Sequence, residues 1–326
     1  MKMKYQSFIK FFVLSVILIF SLAACSSDSE TSVQQETNTE EEQTENENGV
    51  DQKIVTHAMG NTEVPDNPER IVVLDNGALD NLLAMEVEPV GAASIFLDEP
   101  FMSYLEVQTE EIENVGTVDE PNLESIAAAN PDIILGNKDL HEKIYDKLSE
   151  IAPTVLTEAL GLDWKEDLQI QAEAIGKTEE GEDLIADYEK RVEEFKAEMG
   201  DELETTELSI LRPRADHVRI YLSESYSGQF IEELGFPRPA AQQEETFGKE
   251  VTEEQIADLD GDVIFWFERD PENIINTKLK EDPLWATLEA VQADKVYEVS
   301  PDTWLSGMGI QSRNLMLDDV NQYLVK

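Results

Sequence analysis

Cysteine is almost missing from this chain of 326 residues: Cys25 is the single example. No disulfide can form within the chain, and no cysteine cluster can hold a metal. Histidine is nearly as scarce, and His57, His141 and His217 stand too far apart for metal-ligand spacing. Positive charge is in short supply as well, with 24 Lys and Arg against 71 Asp and Glu and a formal net charge of −47. Such a surface repels nucleic acid and anionic lipid headgroups, which excludes nucleic-acid binding. The acid is spread along the whole chain and marks no single site; a saline or alkaline habitat is one reading of it and an ordinary acidic surface another. Also lacking are a serine nucleophile elbow, a phosphate loop and a Gly-x-Gly-x-x-Gly turn after a strand. Carboxylates are too abundant for any acid–base pair to stand out. These absences point away from an enzyme, from a resident cofactor and from a protein-held metal.

What is present begins with an export signal over residues 1–24. Lys2, Lys4 and Lys10 make its positive region, and Phe11 to Leu22 is apolar except for Ser15 and Ser21. That run is shorter than the roughly 20 residues a membrane-spanning helix needs. It ends in Leu22-Ala23-Ala24-Cys25, which resembles the lipobox of bacterial lipoproteins. Diacylglycerol on the Cys25 thiol would anchor the chain to a membrane, since two acyl chains hold where one is marginal. An uncleaved helical anchor with a spare cysteine is the alternative. Residues 25–52 are polar, acidic and of low complexity, and read as a tether that cannot bury enough surface to fold.

Beyond the tether, strand-like and helix-like pieces alternate. Short apolar runs at Arg70–Leu74, Ile133–Leu135, Leu208–Leu211, Val218–Leu222, Val263–Phe267 and Val296–Val299 read as strands, and a further strand begins at Pro89–Gly91. Ala78–Met85, Leu123–Ala129, Leu140–Ile151 and Arg313–Leu324 read as helices. This alternation predicts an α/β fold with parallel or mixed sheets. Thr178–Met199 carries one apolar stripe, Leu184, Tyr188, Val192, Phe195 and Met199, on a charged rod. Thr178 suits its N-cap, and its length would be about 33 Å.

An internal repeat links the halves. Glu124-Ser-Ile126-Ala127 leads to Asp132-Ile-Ile134-Leu, and Glu254-Gln-Ile256-Ala257 leads to Asp262-Val-Ile264-Phe, without a gap. Two related lobes would each hold one glutamate at the same structural place; chance likeness of two helix–strand units is the other reading.

Because basic residues are few, their clustering counts. Arg212, Arg214, His217 and Arg219 fall in LRPRADHVRIY, between two strand patterns. Guanidinium groups hold carboxylate, hydroxamate or citrate oxygens through charge-assisted hydrogen bonds. Pairing with surplus surface acids would explain the same cluster. Trp304, in the TWLSGMG segment before the last helix, is a candidate ligand contact because neighbouring glycines allow close approach, although core packing is the usual fate of a tryptophan. Trp266, within a strand, reads as core.

Several stretches taken together carry a resemblance: VPDNPERIVVLDNGALDNLLAMEVEPVGA, VGTVDEPNLESIAAANPDIILG, EKIYDKLSEIAPTV, SYSGQFIEELGFPRP and TWLSGMG. Over residues 55–325 the chain resembles the iron-siderophore substrate-binding lipoproteins of Gram-positive bacteria, a helical-backbone class of ABC-importer binding proteins. The resemblance implies an N-terminal lobe at 53–177, a connecting helix at 178–199 and a C-terminal lobe at 200–326, with a shallow, rather rigid cleft between lobes. It implies a monomer, held by lipid at the extracellular face of the cell membrane, that binds a ferric siderophore of hydroxamate or citrate-hydroxamate type. The iron would stay with the siderophore. Arg212, Arg214, His217, Arg219 and Trp304 would face the ligand, and Glu124 and Glu254 would dock on a permease dimer, with Glu253 a possible substitute. Leu140 stands where such relatives place an arginine; Lys138 and His141 are the residues that could replace it. A cobalamin or haem receptor of the same fold is the alternative within the family, and a surface lipoprotein hydrolase or an adhesion lipoprotein the alternatives outside it.

Overall fold

Runs of branched apolar residues set several of the strands, among them Ile71–Val73, Ile133–Asn137 and Val263–Trp266. The computed structural model describes residues 51–96, 101–159, 161–269 and 274–325. The export signal, Cys25 and all but the end of the tether lie outside the described residues. The described residues belong to one compact unit, Asn46–Lys326.

An antiparallel hairpin of β1 (Gln52–His57) and β2 (Gly60–Pro65), not anticipated from the sequence, comes first. The first sheet contains β3 (Ile71–Val73), β4 (Gly91–Ser94), β5 (Glu113–Thr117), β6 (Ile133–Asn137) and β7 (Thr154–Thr157). Its order is β5-β4-β3-β6-β7 and every pairing is parallel. Parallel strands buried on both faces read as continuous apolar runs, as RIVVL does.

The second sheet contains β8 (Leu208–Pro213), β9 (Val218–Tyr221), β10 (Gly248–Val251), β11 (Val263–Trp266) and β12 (Val296–Glu298), in the order β10-β9-β8-β11-β12. Here β8, β11 and β12 are parallel, while β9 is antiparallel to both of its neighbours. The two-lobed α/β architecture expected from the sequence is therefore present, and β6 and β11, the repeated strands, hold equivalent places in the two sheets.

The helix Thr178–Met199 has the expected bounds. Its buried stripe is Gly181, Ile185, Tyr188, Val192, Phe195 and Met199, so Ile185 takes the place expected for Leu184, which is half-buried. Its N-cap is Lys177, not Thr178. The expected helix Leu140–Ile151 is broken into Lys138–His141, a tighter turn Glu142–Ile144, and Tyr145–Ser149. The cause is His141, whose ring turns inward: Nδ1 accepts from Asn137 N–H at 3.1 Å and Nε2 lies 3.0 Å from Val118 O. These contacts hold a single helical turn against the end of β6 and leave His141 buried.

The lobes share one apolar core. Val73 and Leu135 of the first sheet, Tyr188 and Phe195 of the long helix, and Ile210 and Phe265 of the second sheet belong to a single buried cluster. A polar clamp adds to it. The helix Asn76–Ala84 meets the start of the helix Ile310–Leu324, and the first N–H groups of a helix have no partner within it. Asp80 Oδ1 accepts from Gln311 N–H at 2.7 Å, and Asp80 Oδ2 from Ser312 N–H at 3.0 Å and the Tyr104 hydroxyl at 2.6 Å. Asn81 Oδ1 accepts from Ile310 N–H at 2.9 Å. Gly309 permits the approach, since a Cβ there would lie 2.5 Å from Asp80. Burial pushes the Asp80 carboxyl up to about 6 in spite of these donors. This cap from the other lobe is why the last helix begins at Ile310, three residues before its expected start.

Candidate functional site

In an α/β sheet the residues just beyond the carboxyl ends of the strands are the ones free to meet a ligand. In the second lobe that end of β8 carries the basic hairpin. Arg212 lies opposite Arg219 across β8 and β9, and Arg219 lies opposite Glu250 across β9 and β10. Opposed residues in antiparallel strands project to one face. Arg214 N–H donates to His217 O at 2.8 Å and closes the turn. Arg212, Arg214, His217 and Arg219 thus share a face, as their spacing suggested.

Part of that charge is answered locally. Arg219 Nη2 is 2.8 Å from Glu250 Oε1, and His217 lies 2.7 Å from Asp216 through Nδ1 and 3.5 Å from Glu250 through Nε2. The Arg219 hydrogen bond, then His217, hold the Glu250 carboxyl below its ordinary value. Arg212 is 9 % exposed and Arg214 half-buried.

In the first lobe, Lys138 follows β6 directly. Its ammonium is 2.8 Å from Glu158 Oε2, and that hydrogen bond raises the Lys138 pKa. His141, buried against Asn137 and Val118, does not reach the surface to serve in its stead.

Trp304 corrects an expectation. It is 0 % exposed, stacked on Phe265 at 4.7 Å between ring centroids and edge-on to Phe230 at 5.6 Å, and its Nε1–H donates to Asp319 at 2.7 Å. The short helix Pro301–Trp304 turns the indole into the shared core, so it offers no face to a ligand. Trp266 is buried, as expected.

Glu124 and Glu254 are both exposed. Glu124 lies in the first turn of the helix Leu123–Ala128 after β5, and Glu254 in the turn Glu253–Leu259 after β10. Both follow the edge strands that hold equivalent positions in the two sheets.

Sequence reasoning missed Arg269. It stands just past β11, where Nη2 donates to Asp302 Oδ1 at 2.7 Å and to Ser306 Oγ at 3.0 Å, and its guanidinium carbon is 5.3 Å from the centre of the Phe96 ring. Asp302 Oδ2 accepts from Ser103 N–H at 2.9 Å and from the Ser103 hydroxyl at 2.6 Å. Phe96, Phe101, Glu106 and Asn114 of the first lobe and Arg269 and Asp302 of the second line a crevice of about 670 Å³. Extending the internal repeat past its strand would have found Arg269: the residues leaving β6 are Lys138-Asp139, and the matching pair after β11 is Glu268-Arg269. Among the described residues no group of three or more His, Cys, Asp or Glu is placed to hold a metal ion.

A family model described as periplasmic binding protein matches residues 71–303. The "Probable siderophore-binding lipoprotein YfiY" of Bacillus subtilis is 36% identical, over 99% of this chain and 99% of its own length. The Fe(3+)-citrate-binding protein YfmC of the same organism is 31% identical, over 83% of this chain and 85% of its own. Staphylococcus aureus SirA, solved in complex with staphyloferrin B, superposes with a TM-score of 0.75 at 31% identity, covering 83% of this chain and 98% of that one.

Proposed function

Because the chain belongs to the periplasmic binding protein family, we propose that it is the substrate-binding lipoprotein of an ABC importer and takes up ferric siderophore of hydroxamate or citrate-hydroxamate type. The observation that carries the reading is the likeness of the two-lobed body as a whole to Staphylococcus aureus SirA, which was solved in complex with staphyloferrin B. Family members bind and hand over; they do not transform their ligands, and this chain is read as no enzyme. Its absences of nucleophile and metal motifs support that view.

In this reading Cys25 carries the lipid that holds a monomer at the extracellular face of the membrane of a Gram-positive cell. The chelate lies between the lobes with its oxygens toward Arg212 and Arg214, with Lys138, His217 and Arg219 at the margin. A chain of net charge −47 repels an anionic chelate at long range, so a local row of cations is needed where it lands. The iron remains in the siderophore. Glu124 and Glu254 dock the loaded protein on a permease dimer, and ATP hydrolysis outside this chain drives transport. The shared core and the Asp80 clamp support a cleft that changes little on binding.

Calorimetric titration of the purified chain with ferric citrate, ferric hydroxamates, cobalamin and haem tests the ligand. Saturable binding of a ferric chelate alone is expected; binding only cobalamin or haem would replace the assignment. Radioiron uptake by cells carrying Glu124→Ala and Glu254→Ala together should be lost while binding persists, and normal uptake would reject the docking role.

A further inference from the structure

The crevice beside Arg269 has a chemistry unlike that of the basic hairpin. Its floor is apolar: Ile95 and Phe101 are half-buried, and Met102 and Ile112 buried. Its rim is acidic. Glu106 and Glu110 are exposed on one side, and Asp302 closes another. Arg269 is the one cation among its described lining residues, already held by Asp302 and laid against Phe96. Three carboxylates thus outweigh one guanidinium, and an anionic chelate core would be repelled there.

The crevice nevertheless adjoins the cationic hairpin. Leu211 of β8 pairs with Trp266 of β11, and Phe267 N–H donates to Leu211 O at 3.1 Å, so Arg212 lies beside Phe267. Arg269 follows two residues later, and chain reach plus strand spacing puts its Cα no more than about 12 Å from that of Arg212. One small ligand can span both.

We propose that the crevice is a subsite for an alkylammonium arm of the ferric siderophore, its methylenes on the apolar floor and its ammonium against Glu106 and Glu110. The inference rests on the transport reading and narrows it to a substrate class: chelates with a protonated amine on a flexible aliphatic spacer. The division of labour follows from hydrogen bonding and charge: guanidiniums meet the electron-rich oxygens of the chelate, whether its core is neutral as in a trihydroxamate or anionic as in a citrate chelate, and the acidic rim meets the ammonium. The hairpin takes the oxygen-rich chelate, and the crevice takes the cationic tail. A lysine-like arm also suits the shape, because its stem covers apolar surface while its head stays at the wet rim.

Ferrioxamine B, a ferric trihydroxamate with one free pentylammonium arm, and its N-acetylated form differ at that arm alone. Titrated into the purified full chain at low salt, the amine form should bind about tenfold more tightly than the acetylated form. Glu106→Gln with Glu110→Gln should bring the two affinities together. About 1 M salt should do the same in the unaltered chain, since the pairs are at the surface. Both glutamates are exposed, so the double variant should keep its fold, and circular dichroism checks that it does. Equal affinities in the unaltered chain, or a preference untouched by the double variant, would overturn the subsite. Ferric citrate binding without either trihydroxamate would also overturn it and leave the transport reading standing. Failure of all three chelates to bind would overturn both.

Discussion

The central strand of each sheet ends in opposite ways. In the first lobe β3 runs into Asp75, which caps the helix Asn76–Ala84 by accepting from Ala78 N–H at 2.9 Å. That helix is buried along almost its whole length, and through Asp80 and Asn81 it fastens the second lobe. In the second lobe β8 instead doubles back through Pro213 into antiparallel β9, which gathers four basic residues on one face. The two sheets share one strand order but not every strand direction, and the first lobe uses this position to hold the lobes together while the second uses it to gather charge.

The comparison breaks most sharply at Asp80. Asp80→Ala should leave the buried Ser312 N–H, the part-buried Gln311 N–H and the Tyr104 hydroxyl without an acceptor, destabilising the fold by roughly 3–5 kcal/mol. Chemical denaturation measures it, and a loss near zero would mean that the shared core alone joins the lobes. Next comes the corresponding pair in the other lobe. Arg212→Ala with Arg214→Ala should weaken a ferric chelate by about a hundredfold or more, each charged hydrogen bond contributing roughly 1.5–3 kcal/mol. Calorimetry reads that change, and unaltered affinity would remove the hairpin from the site.

A third test uses pH. Burial, then the negative field of Asp75, pushes the Asp167 carboxyl up to about 8. A carboxyl raised in the folded state supports stability at low pH and loses that support as pH climbs through its folded value. Asp167→Asn cannot ionise. It should melt near the original temperature at pH 4 and progressively above it up to about pH 8, the gap growing by up to about 1.4 kcal/mol per pH unit and levelling off beyond. A constant offset across that range would show that the carboxyl titrates normally.

Much of this was legible in the residues because it is local. The stripe of the Thr178–Met199 helix and the runs RIVVL and VIFW follow from periodicity and apolar length, and like parity put Arg212 and Arg214 on one face. The failures are non-local. Trp304 read as a candidate ligand contact because glycines flank it, with core packing as the alternative, and Phe265 and Phe230 come from far along the chain to cover it. The last helix starts at Ile310 because its caps lie more than 200 residues earlier. Arg269 stayed hidden because the internal repeat was followed only to the end of its strand, two steps short of the Glu268-Arg269 pair, and its partners Asp302 and Phe96 come from distant parts of the chain.

The smallest effect belongs to Lys138, the first lobe's one candidate cation for the ligand. Its ammonium already holds Glu158 at 2.8 Å, and side-chain exposures of 32% and 63% leave that pair in contact with water. An exposed pair is weak, so exchanging Glu158 for a chelate oxygen gains little. Lys138→Ala should therefore lower chelate affinity by less than about threefold. Glu158→Gln gives the sharper reading, because it frees the ammonium and removes a carboxylate that repels the same ligand. If Lys138 contacts the chelate, Glu158→Gln should tighten binding while Lys138→Ala loosens it, and the double variant should match Lys138→Ala if the gain acts through the lysine. Calorimetry on all three would show it. Should none of them move the affinity, the chelate's charge is met by the β8–β9 hairpin of the second lobe alone, and the contrast between the lobes is complete.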